Sequence, residues 1–349
     1  MSRFEPCYFW HLLHVHMYTR AIEHMRILVI RFSSIGDIIL TSPVLRCLKK
    51  QVPGVEIHFL TKLDLKDLVA HSPYVSRLHV IKDDVSDVLP ALKNERFDLV
   101  VDLHHNLRTL KVKRALGVDA RSFPKLNIEK WMLVNLKRDR MPRIHIVDRY
   151  LSTVAHLGVK NDHEGLDLFI PPEREISLES LPVSHRNGYI ALCIGAAHFS
   201  KRLPPHKLVE LALLINDPIV LIGGPEDQAV ARQIADAVGS RVFDATGKYD
   251  LLGSASLIKQ AKSAITHDSG AMHVAAAFRK QTVSVWGNTV PQFGMGPYIP
   301  RHPERGHILE VMDLPCRPCS KIGFDHCPRG HFRCMEKQDP EKIAGLASL

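Results

Sequence analysis

From Met25 onward, short aliphatic and β-branched runs alternate with segments of helical length, and this alternation constrains the fold more than any other feature. It is typical of repeated strand–helix–strand units, in which helices cover both faces of a parallel sheet. We expect strands at residues 26–32, 55–60, 77–81, 97–103, 189–194, 218–222, 241–243, 263–266 and 282–286. We expect helices at 37–51, 64–71, 86–95, 108–116, 144–157, 204–215, 225–238, 250–260 and 270–278.

A polar, proline-bearing stretch around residues 170–182 interrupts the alternation, and 349 residues suit two α/β domains. The predicted organisation is a Rossmann-like domain over 25–170, a linker over 171–184, a second Rossmann-like domain over 185–335 and a C-terminal helix within 336–349. Two doubly wound domains in tandem bind ligands at the carboxyl ends of their strands. We therefore expect the site in a cleft between the domains.

Charge and cysteine usage indicate the partners and the compartment. The formal net charge of +9 implies acidic partners, such as phosphates, an anionic membrane face or nucleic acid. No apolar run approaches the roughly 20 residues of a membrane span. Scattered cysteines and no secretory signal predict a reducing, cytoplasmic setting. Residues 1–24 differ from the rest, and we interpret them as a disordered extension or a misplaced start.

The first motif lies where the first predicted strand gives way to a helix, and it contains Arg31, Ser34, Gly36 and Asp37. Small residues at a helix start let backbone N–H groups approach an anionic ligand. Asp37 can also be a simple first-turn acid that favours the helix N-terminus. The turn is not G-x-G-x-x-G, so a dinucleotide site has little support.

Two further motifs follow strands of the second half. Lys201 and Arg202 come after a turn of small residues, and such a turn with cations can hold a diphosphate. Gly223 and Gly224 permit close backbone approach, and Glu226 can accept hydrogen bonds from ribose hydroxyls. The alternatives are a solvated Lys-Arg pair and an ordinary strand-to-helix turn.

The fourth motif is the most informative. A strand ends at Asp268, Ser269 and Gly270 form a turn, and an alanine-rich helix carrying His273 begins. The exposed N–H groups at that helix start form an anion site. Asp268 can be a simple cap and His273 a packed helix residue, but the combination of polar groups at one strand end indicates a site.

Together these motifs resemble glycosyltransferase family 9, the ADP-heptose:lipopolysaccharide heptosyltransferases, over about residues 25–335. The resemblance implies the GT-B fold, with two Rossmann-like domains, and an enzyme of lipopolysaccharide biosynthesis that transfers heptose from ADP-heptose. It assigns Asp37 as the general base and places Ser34 and Gly36 on the acceptor side. The donor is bound by residues that correspond to Lys201, Glu226 and the loop from Asp268 through Met272 to His273. Arg202, Gly223 and Gly224 are expected beside them.

The implied reaction is an inverting displacement without a divalent metal, since the chain contains no Asp-x-Asp motif. Arg108 begins a basic rim, continued by Lys111, Lys113 and Arg114, that suits a phosphorylated glycolipid acceptor. For Lys111 and Lys113 a solvated helix face is at least as good an interpretation. We expect an ADP-sugar donor, no nucleic-acid partner, and peripheral contact with the cytoplasmic face of the inner membrane.

Four cysteines lie close together near the C-terminus, at Cys316, Cys319, Cys327 and Cys334. Four thiolates can close a structural zinc site or hold an iron cluster, whereas free or buried thiols can also shape a loop. No cofactor is expected for the reaction itself, and a structural zinc stays one of these alternatives.

Two rival functions remain at this stage. A basic nucleic-acid-binding protein would share the positive charge and a zinc-like knuckle, but it needs an aromatic platform that the dispersed aromatic residues, 7% of the chain, do not offer. A sugar-nucleotide epimerase with the GT-B fold would convert the donor without any acceptor.

Overall fold

The computed structural model describes residues 25–349, so the interpretation of residues 1–24 lies outside it. The described residues form two parallel sheets with helices packed between and around their strands, which confirms the predicted α/β class. The strands are β1 (Arg26–Ile30), β2 (Glu56–Lys62), β3 (Arg77–Ile81), β4 (Leu99–Asp102), β5 (Asp119–Ser122), β6 (Ile190–Cys193), β7 (Ile219–Ile222), β8 (Val242–Asp244), β9 (Ser263–His267), β10 (Gln281–Trp286) and β11 (Gly306–Glu310).

The helices follow the strands in the order that the alternation predicts, with some additions. They are α1 (Ile35–Ile39), α2 (Ser42–Gln51), α3 (Asp67–Ala70), α4 (Leu89–Asn94), α5 (Leu107–Leu116), α6 (Asn127–Leu136), α7 (Ile146–Leu151), α8 (Pro205–Leu214), α9 (Gln228–Val238), α10 (Leu251–Gln260), α11 (Gly270–Ala277), α12 (Arg333–Glu336) and α13 (Pro340–Ala347). The segment predicted as one helix over 37–51 is divided into α1 and α2 by a turn at Leu40 and Thr41.

Within the described residues, the first compact unit contains 25–33, Pro43–Pro124 and Val147–Asp162. Its sheet has the order β3-β2-β1-β4-β5, and every pair in it is parallel. The central strands β1 and β4 are almost wholly buried, because helices cover both faces of a parallel sheet. This explains why their sequences read as continuous apolar runs.

The second compact unit contains Ser34–Ser42, Lys125–Ile146 and His163–Leu349. Its sheet has the order β11-β10-β9-β6-β7-β8, again all parallel. Both units are therefore built from discontinuous segments, and α1 belongs to the second unit although β1 belongs to the first. The sequence-continuous domain boundaries at 170 and 185 stay a prediction.

Four elements were not expected from the sequence: the edge strands β5 and β11 and the helices α6 and α12. The C-terminal helix α13 packs into the core of the second unit through Ile343, Ala344 and Ala347. Within residues 25–349, the helices are all too short or too polar to cross a lipid bilayer.

A buried ion pair ties α2 to the end of the first unit. The Arg46 Nε lies 2.8 Å from one carboxylate oxygen of Asp162, and an Arg46 terminal nitrogen lies 2.7 Å from the other. The Arg46 side chain is only 3% exposed, whereas Lys50, at 3.8 Å from the same carboxylate, is largely in solvent. A buried bidentate pair of this kind leaves an uncompensated charge when one partner is removed.

We therefore predict that Asp162→Asn lowers the free energy of unfolding by about 3 kcal/mol, whereas Lys50→Ala changes it by less than about 1 kcal/mol. Urea denaturation followed by circular dichroism measures both. Equal midpoints for the two variants would show that the buried pair contributes no more than the exposed contact.

Candidate functional site

A cavity of about 760 Å³ lies at the carboxyl ends of the strands in the second unit. The turns after β6, β7, β9 and β10 and the helix α1 form its walls. This is the size and position expected of a ligand site in an open α/β sheet. The predicted site residues that line it are Ser34, Gly36, Asp37, Lys201, Gly223, Gly224, Glu226, Asp268, Ser269, Gly270 and His273.

Asp37 stands in the first turn of α1, half-buried at the cavity wall. Its Oδ2 accepts hydrogen bonds from the Ser34 hydroxyl at 2.8 Å and from the Ser34 backbone N–H at 3.2 Å. The carboxylate therefore does make the first-turn contact that the sequence offered as an alternative role. The same contacts orient the carboxylate at the cavity, so capping and a chemical role are compatible.

Two glycines allow α1 and α11 to pack in direct contact. A Cβ atom at Gly36 would lie 2.4 Å from Cδ2 of the His273 ring, and one at Gly270 would lie 2.9 Å from Cγ2 of Ile35. Only residues without a Cβ permit this approach. The contact brings the Asp37 turn beside the helix that carries His273.

Burial keeps the His273 imidazole neutral. Loss of solvent lowers the pKa of His273 to about 4, the positive charge of Lys201 acts in the same direction, and the carboxylates of Asp268 and Asp37 oppose the shift. In the described part of the chain, its Nδ1 is buried without a hydrogen-bond partner, and so is the Ser269 hydroxyl. Both residues line the cavity, where a bound ligand can satisfy these atoms.

Lys201 and Asp268 form an ion pair inside the cavity. The Lys201 Nζ lies 2.7 Å from Oδ2 of Asp268, and the Thr289 hydroxyl donates to the same oxygen at 2.7 Å. Both charged side chains are mostly buried. The pair holds a cation at the start of α11, where the helix N-terminus already favours an anion.

Arg202 does not line the cavity but joins two of its loops. Its guanidinium donates to the Ala196 carbonyl at 2.7 Å and to Oδ1 of Asp227 at 2.9 Å. The other Asp227 oxygen accepts from the Gly224 N–H at 2.9 Å. A Cβ atom at Gly223 would lie 2.7 Å from this carboxylate. Arg202 and Asp227 therefore position the loops after β6 and β7.

The remaining predicted residues occupy different surroundings. Glu226 is exposed and folds over Gly224 at the cavity wall. Met272 is fully buried and packs inside the second unit rather than lining the cavity. Arg108 belongs to the first unit, where its guanidinium lies 5.5 Å from the centroid of the Phe32 ring. Their binding roles stay predictions.

Sequence reasoning missed Asp227 and Thr289, which contact predicted site residues directly. Asp227 follows Glu226 at the same strand end, and its position in the first turn of a helix was the available signal. Thr289 follows β10, and β10 pairs with β9 in the sheet. Neighbouring strand ends in a parallel sheet share one edge, and that rule would have located it.

One group in the first unit has the residue types of a metal site. Among residues 25–349, His58, His79 and Glu95 bring three ligand atoms within 4.8 Å of one another. The two imidazoles already hydrogen-bond to each other at 3.0 Å, and Arg77 forms an ion pair with Glu95. Because the acidic charge is already balanced, we interpret this group as a structural network.

The four clustered cysteines surround the loop before α12. The Cys316 Sγ lies 3.8 Å from Nε2 of His331, and Cys334 is buried in the core of the second unit. Burial and the neighbouring thiols raise the pKa of Cys334 to about 12. The Lys137 ammonium donates to the carbonyl oxygens of Cys316 and Pro318 at 3.2 and 2.6 Å.

Comparisons with known proteins agree with this geometry. Residues 86–323 match the model of glycosyltransferase family 9 (heptosyltransferase). The chain is 23% identical over 314 residues to lipooligosaccharide heptosyltransferase 2 of Haemophilus influenzae, covering 83% of this chain and 89% of that one. A family 9 glycosyl transferase from Veillonella parvula superposes with a TM-score of 0.73 and 24% identity, over 93% and 96% of the two chains.

The E. coli ADP-heptose lps heptosyltransferase II also has this fold. Its TM-score is 0.70 at 20% identity, over 93% of this chain and 98% of that chain. These similarities show the two-sheet GT-B fold, which confirms the fold expected from the sequence motifs.

We predict that Gly36→Ala destabilises the protein by about 1–2 kcal/mol, because the added methyl group meets the His273 ring. In a His273→Ala background the ring is absent, and the same change should be neutral or stabilising, since alanine favours helix by about 1 kcal/mol. Thermal unfolding of the four proteins in this double-mutant cycle measures the coupling.

Gly345→Ala in α13 is the matched control, since a Cβ there meets nothing within 4 Å. It should be neutral or stabilising in both backgrounds. If Gly36→Ala behaves in the same way as this control, the contact between the two helices is not the tight one described.

Proposed function

Because the chain belongs to glycosyltransferase family 9, the heptosyltransferases, we propose that it transfers a heptose or similar sugar from an ADP-sugar to a lipopolysaccharide inner-core type acceptor. The observation that carries the proposal is the one cavity lined by Asp37, Lys201, Asp268 and His273. The names of the related heptosyltransferases support the sugar, and the name of the E. coli protein supports the ADP donor.

The donor diphosphate binds at the N-terminus of α11. Backbone N–H groups at a helix start have no partner within the helix and favour an anion. The Ser269 hydroxyl and the His273 Nδ1 lack partners, which a phosphate or sugar oxygen can supply. His273 acts in its neutral form, since its pKa of about 4 leaves it uncharged at physiological pH. Glu226, at the far loop of the same cavity, accepts hydrogen bonds from the ribose hydroxyls.

Lys201 stabilises the leaving group. As the bond between the anomeric carbon and the diphosphate oxygen breaks, negative charge accumulates on the departing ADP. A cation fixed beside the helix N-terminus interacts more strongly with that charge than with the intact donor, which lowers the barrier. Asp268 keeps Lys201 in place before the donor arrives, and its carboxylate can accept hydrogen bonds from sugar hydroxyls.

Asp37 is the general base. An acceptor hydroxyl attacks the anomeric carbon from the face opposite the leaving ADP, so the configuration inverts. The new carbon–oxygen bond forms as the hydroxyl proton passes to the Asp37 carboxylate, and the electron pair of the broken bond leaves with ADP. Ser34 orients the carboxylate through its two hydrogen bonds.

The acceptor is an anionic glycolipid, and the enzyme works on the cytoplasmic face of the inner membrane as a peripheral protein. The net charge of +9 supports this partner. Ser34 and Gly36 line the cavity on the acceptor side, and Arg108 is proposed to contact acceptor phosphates. Family membership does not favour a nucleic-acid partner, whereas an epimerase acting on the same donor differs in needing no acceptor.

Mass analysis of products from ADP-heptose with and without a lipopolysaccharide-core acceptor tests the proposal. We predict sugar transfer only when the acceptor is present, and Asp37→Asn should lower kcat by about 10²–10⁴-fold while donor affinity stays near normal. Asparagine can still accept the Ser34 hydrogen bonds, so it preserves the cap and removes only the base.

The matched control is Ser34→Ala, which removes the hydroxyl contact and leaves the base. It should reduce kcat far less than Asp37→Asn. Near-normal turnover by Asp37→Asn would end the general-base assignment, and a donor converted to an isomer without acceptor would favour the epimerase.

A separate prediction concerns the donor. Lys201→Met should weaken ADP binding about 10–100-fold, because one charge-assisted contact to the diphosphate is lost. Isothermal titration with ADP measures this. Lys321→Met, at the same cavity wall but outside the Asp268 ion pair, is the comparison variant and should weaken binding less.

We also propose that transfer needs no divalent metal and that the clustered cysteines act as thiols that shape their loop. A closed tetrahedral zinc site holds sulfur atoms about 3.8 Å apart. Across residues 25–349, the cysteines do not bring three ligand atoms within 4.8 Å of one another. We expect full activity in EDTA and, by metal analysis of the purified protein, less than about 0.1 metal ion per chain. One zinc per chain would refute the thiol assignment.

A further inference from the structure

The helix α6 and the residues that follow it expose large apolar side chains. Ile128 is 73% exposed, Trp131 56% and Leu136 49%. Ile128 and Trp131 are three residues apart, which places them on one face of the helix. Scattered exposed apolar residues are common, but Ile128 and Trp131 lie together on one exposed face, and Leu136 adds a third exposed apolar side chain at the end of the same helix.

The opposite face of α6 is anchored beside the cavity. Leu133 is buried in a cluster with Met141, Val290 and Phe293, and Phe293 also lines the cavity. Lys130 lies 6.0 Å from the centroid of the Phe293 ring. The exposed face therefore cannot turn inward, because α6 already buries its other side.

Basic residues flank the exposed face. Residues 125–143 carry six lysines and arginines against two acidic residues, a net charge of +4. Lys137, Arg138, Arg140 and Arg143 follow one another at the end of the helix, and all are exposed. One of the two acids, Asp139, is paired with Arg143 at 2.7 Å.

We propose that this surface, the exposed face of α6 with the basic residues 137–143, docks the enzyme on a membrane of anionic phospholipid. The inference deepens the proposed function by naming the surface through which the chain would reach a lipid-linked acceptor. A helix lying in a membrane interface has an apolar face with tryptophan, flanked by lysine and arginine that contact lipid phosphates. The Ile128 and Trp131 side chains enter the headgroup region, and the basic residues remain at its surface.

A lipid surface fits this patch better than a protein does. Protein interfaces need a larger contiguous apolar centre, and that centre is depleted in charged residues. Exposed apolar side chains beside a segment with a net charge of +4 match a planar anionic surface instead. Because Leu133 packs with Phe293, which lines the cavity, docking through α6 keeps this wall of the cavity near the lipid surface.

Sedimentation of the full chain with vesicles tests the proposal. It should bind vesicles of phosphatidylethanolamine with phosphatidylglycerol, lose that binding at high salt, and bind vesicles of phosphatidylcholine alone weakly. Ile128→Asn with Trp131→Ala should weaken binding about tenfold, and Arg138→Gln with Arg140→Gln by a similar factor. The emission of Trp131 should shift to shorter wavelength with anionic vesicles, and this shift should disappear in Trp131→Phe.

The control combines Leu213→Asn with Arg232→Gln, which removes an exposed apolar side chain and an exposed cation from α8 and α9 of the same unit. It should bind vesicles normally, and all variants should keep normal thermal unfolding and ADP affinity. Equal binding to neutral vesicles, equal loss in the control, or a chain that dimerises through this face by sedimentation velocity would each overturn the proposal. Vesicle binding requires no sugar transfer, so an inactive enzyme that still binds would refute the proposed function alone.

Discussion

The candidate site depends on the direct contact between α1 and α11. Gly36 lies against the His273 ring and Gly270 against the Ile35 side chain, so the two helix N-termini pack closely. Glycine inside a helix costs about 0.5–1 kcal/mol relative to alanine. Gly36 carries this cost, and the close packing that it permits places the Asp37 carboxylate and the start of α11 at the same cavity.

Two ion pairs support the loops around this cavity. Lys201 is paired with Asp268, and Arg202 with Asp227, and in both pairs the charged groups are largely removed from solvent. Buried charges are stable only when paired and hydrogen-bonded. The two pairs hold the loops around the cavity in place. Binding an anion there therefore requires little movement of the loops, and the main change is in the contacts that Lys201 makes. Such preorganised cations are effective at stabilising charge that develops during a reaction.

α6 connects this cavity to the outer surface of the second unit. The helix begins after Leu126, whose φ of 55° is in the left-handed region, and no side chain caps it. Its stability must therefore come from the packing of Leu133 on Val290 and Phe293 rather than from local signals. With one face used for that packing, the apolar residues of the other face have no contact inside the unit that can bury them.

The sequence by itself determined the α/β class, the positions of most strands along the chain and the four strand-end motifs. Central parallel strands such as β1 and β9 are buried on both faces, and burial selects continuous apolar runs that are readable from local sequence. The sequence did not predict the edge strands β5 and β11, because partly exposed strands lack a continuous apolar run. It did not predict α6 because apolar residues on both faces of this helix obscure the helical period.

Only the tertiary structure decided which motif residues share the cavity. Sequence reasoning grouped Lys201 with Arg202 because they are neighbours, yet Lys201 lines the cavity while Arg202 joins its loops through Asp227. It also placed Asp37 with the first domain, whereas α1 packs within the second unit. Local sequence determines the spacing of apolar residues and the residues that form turns. The contact of Gly36 with His273 joins segments that are far apart in the chain, and no local pattern specifies which distant side chain fills the space beside a glycine.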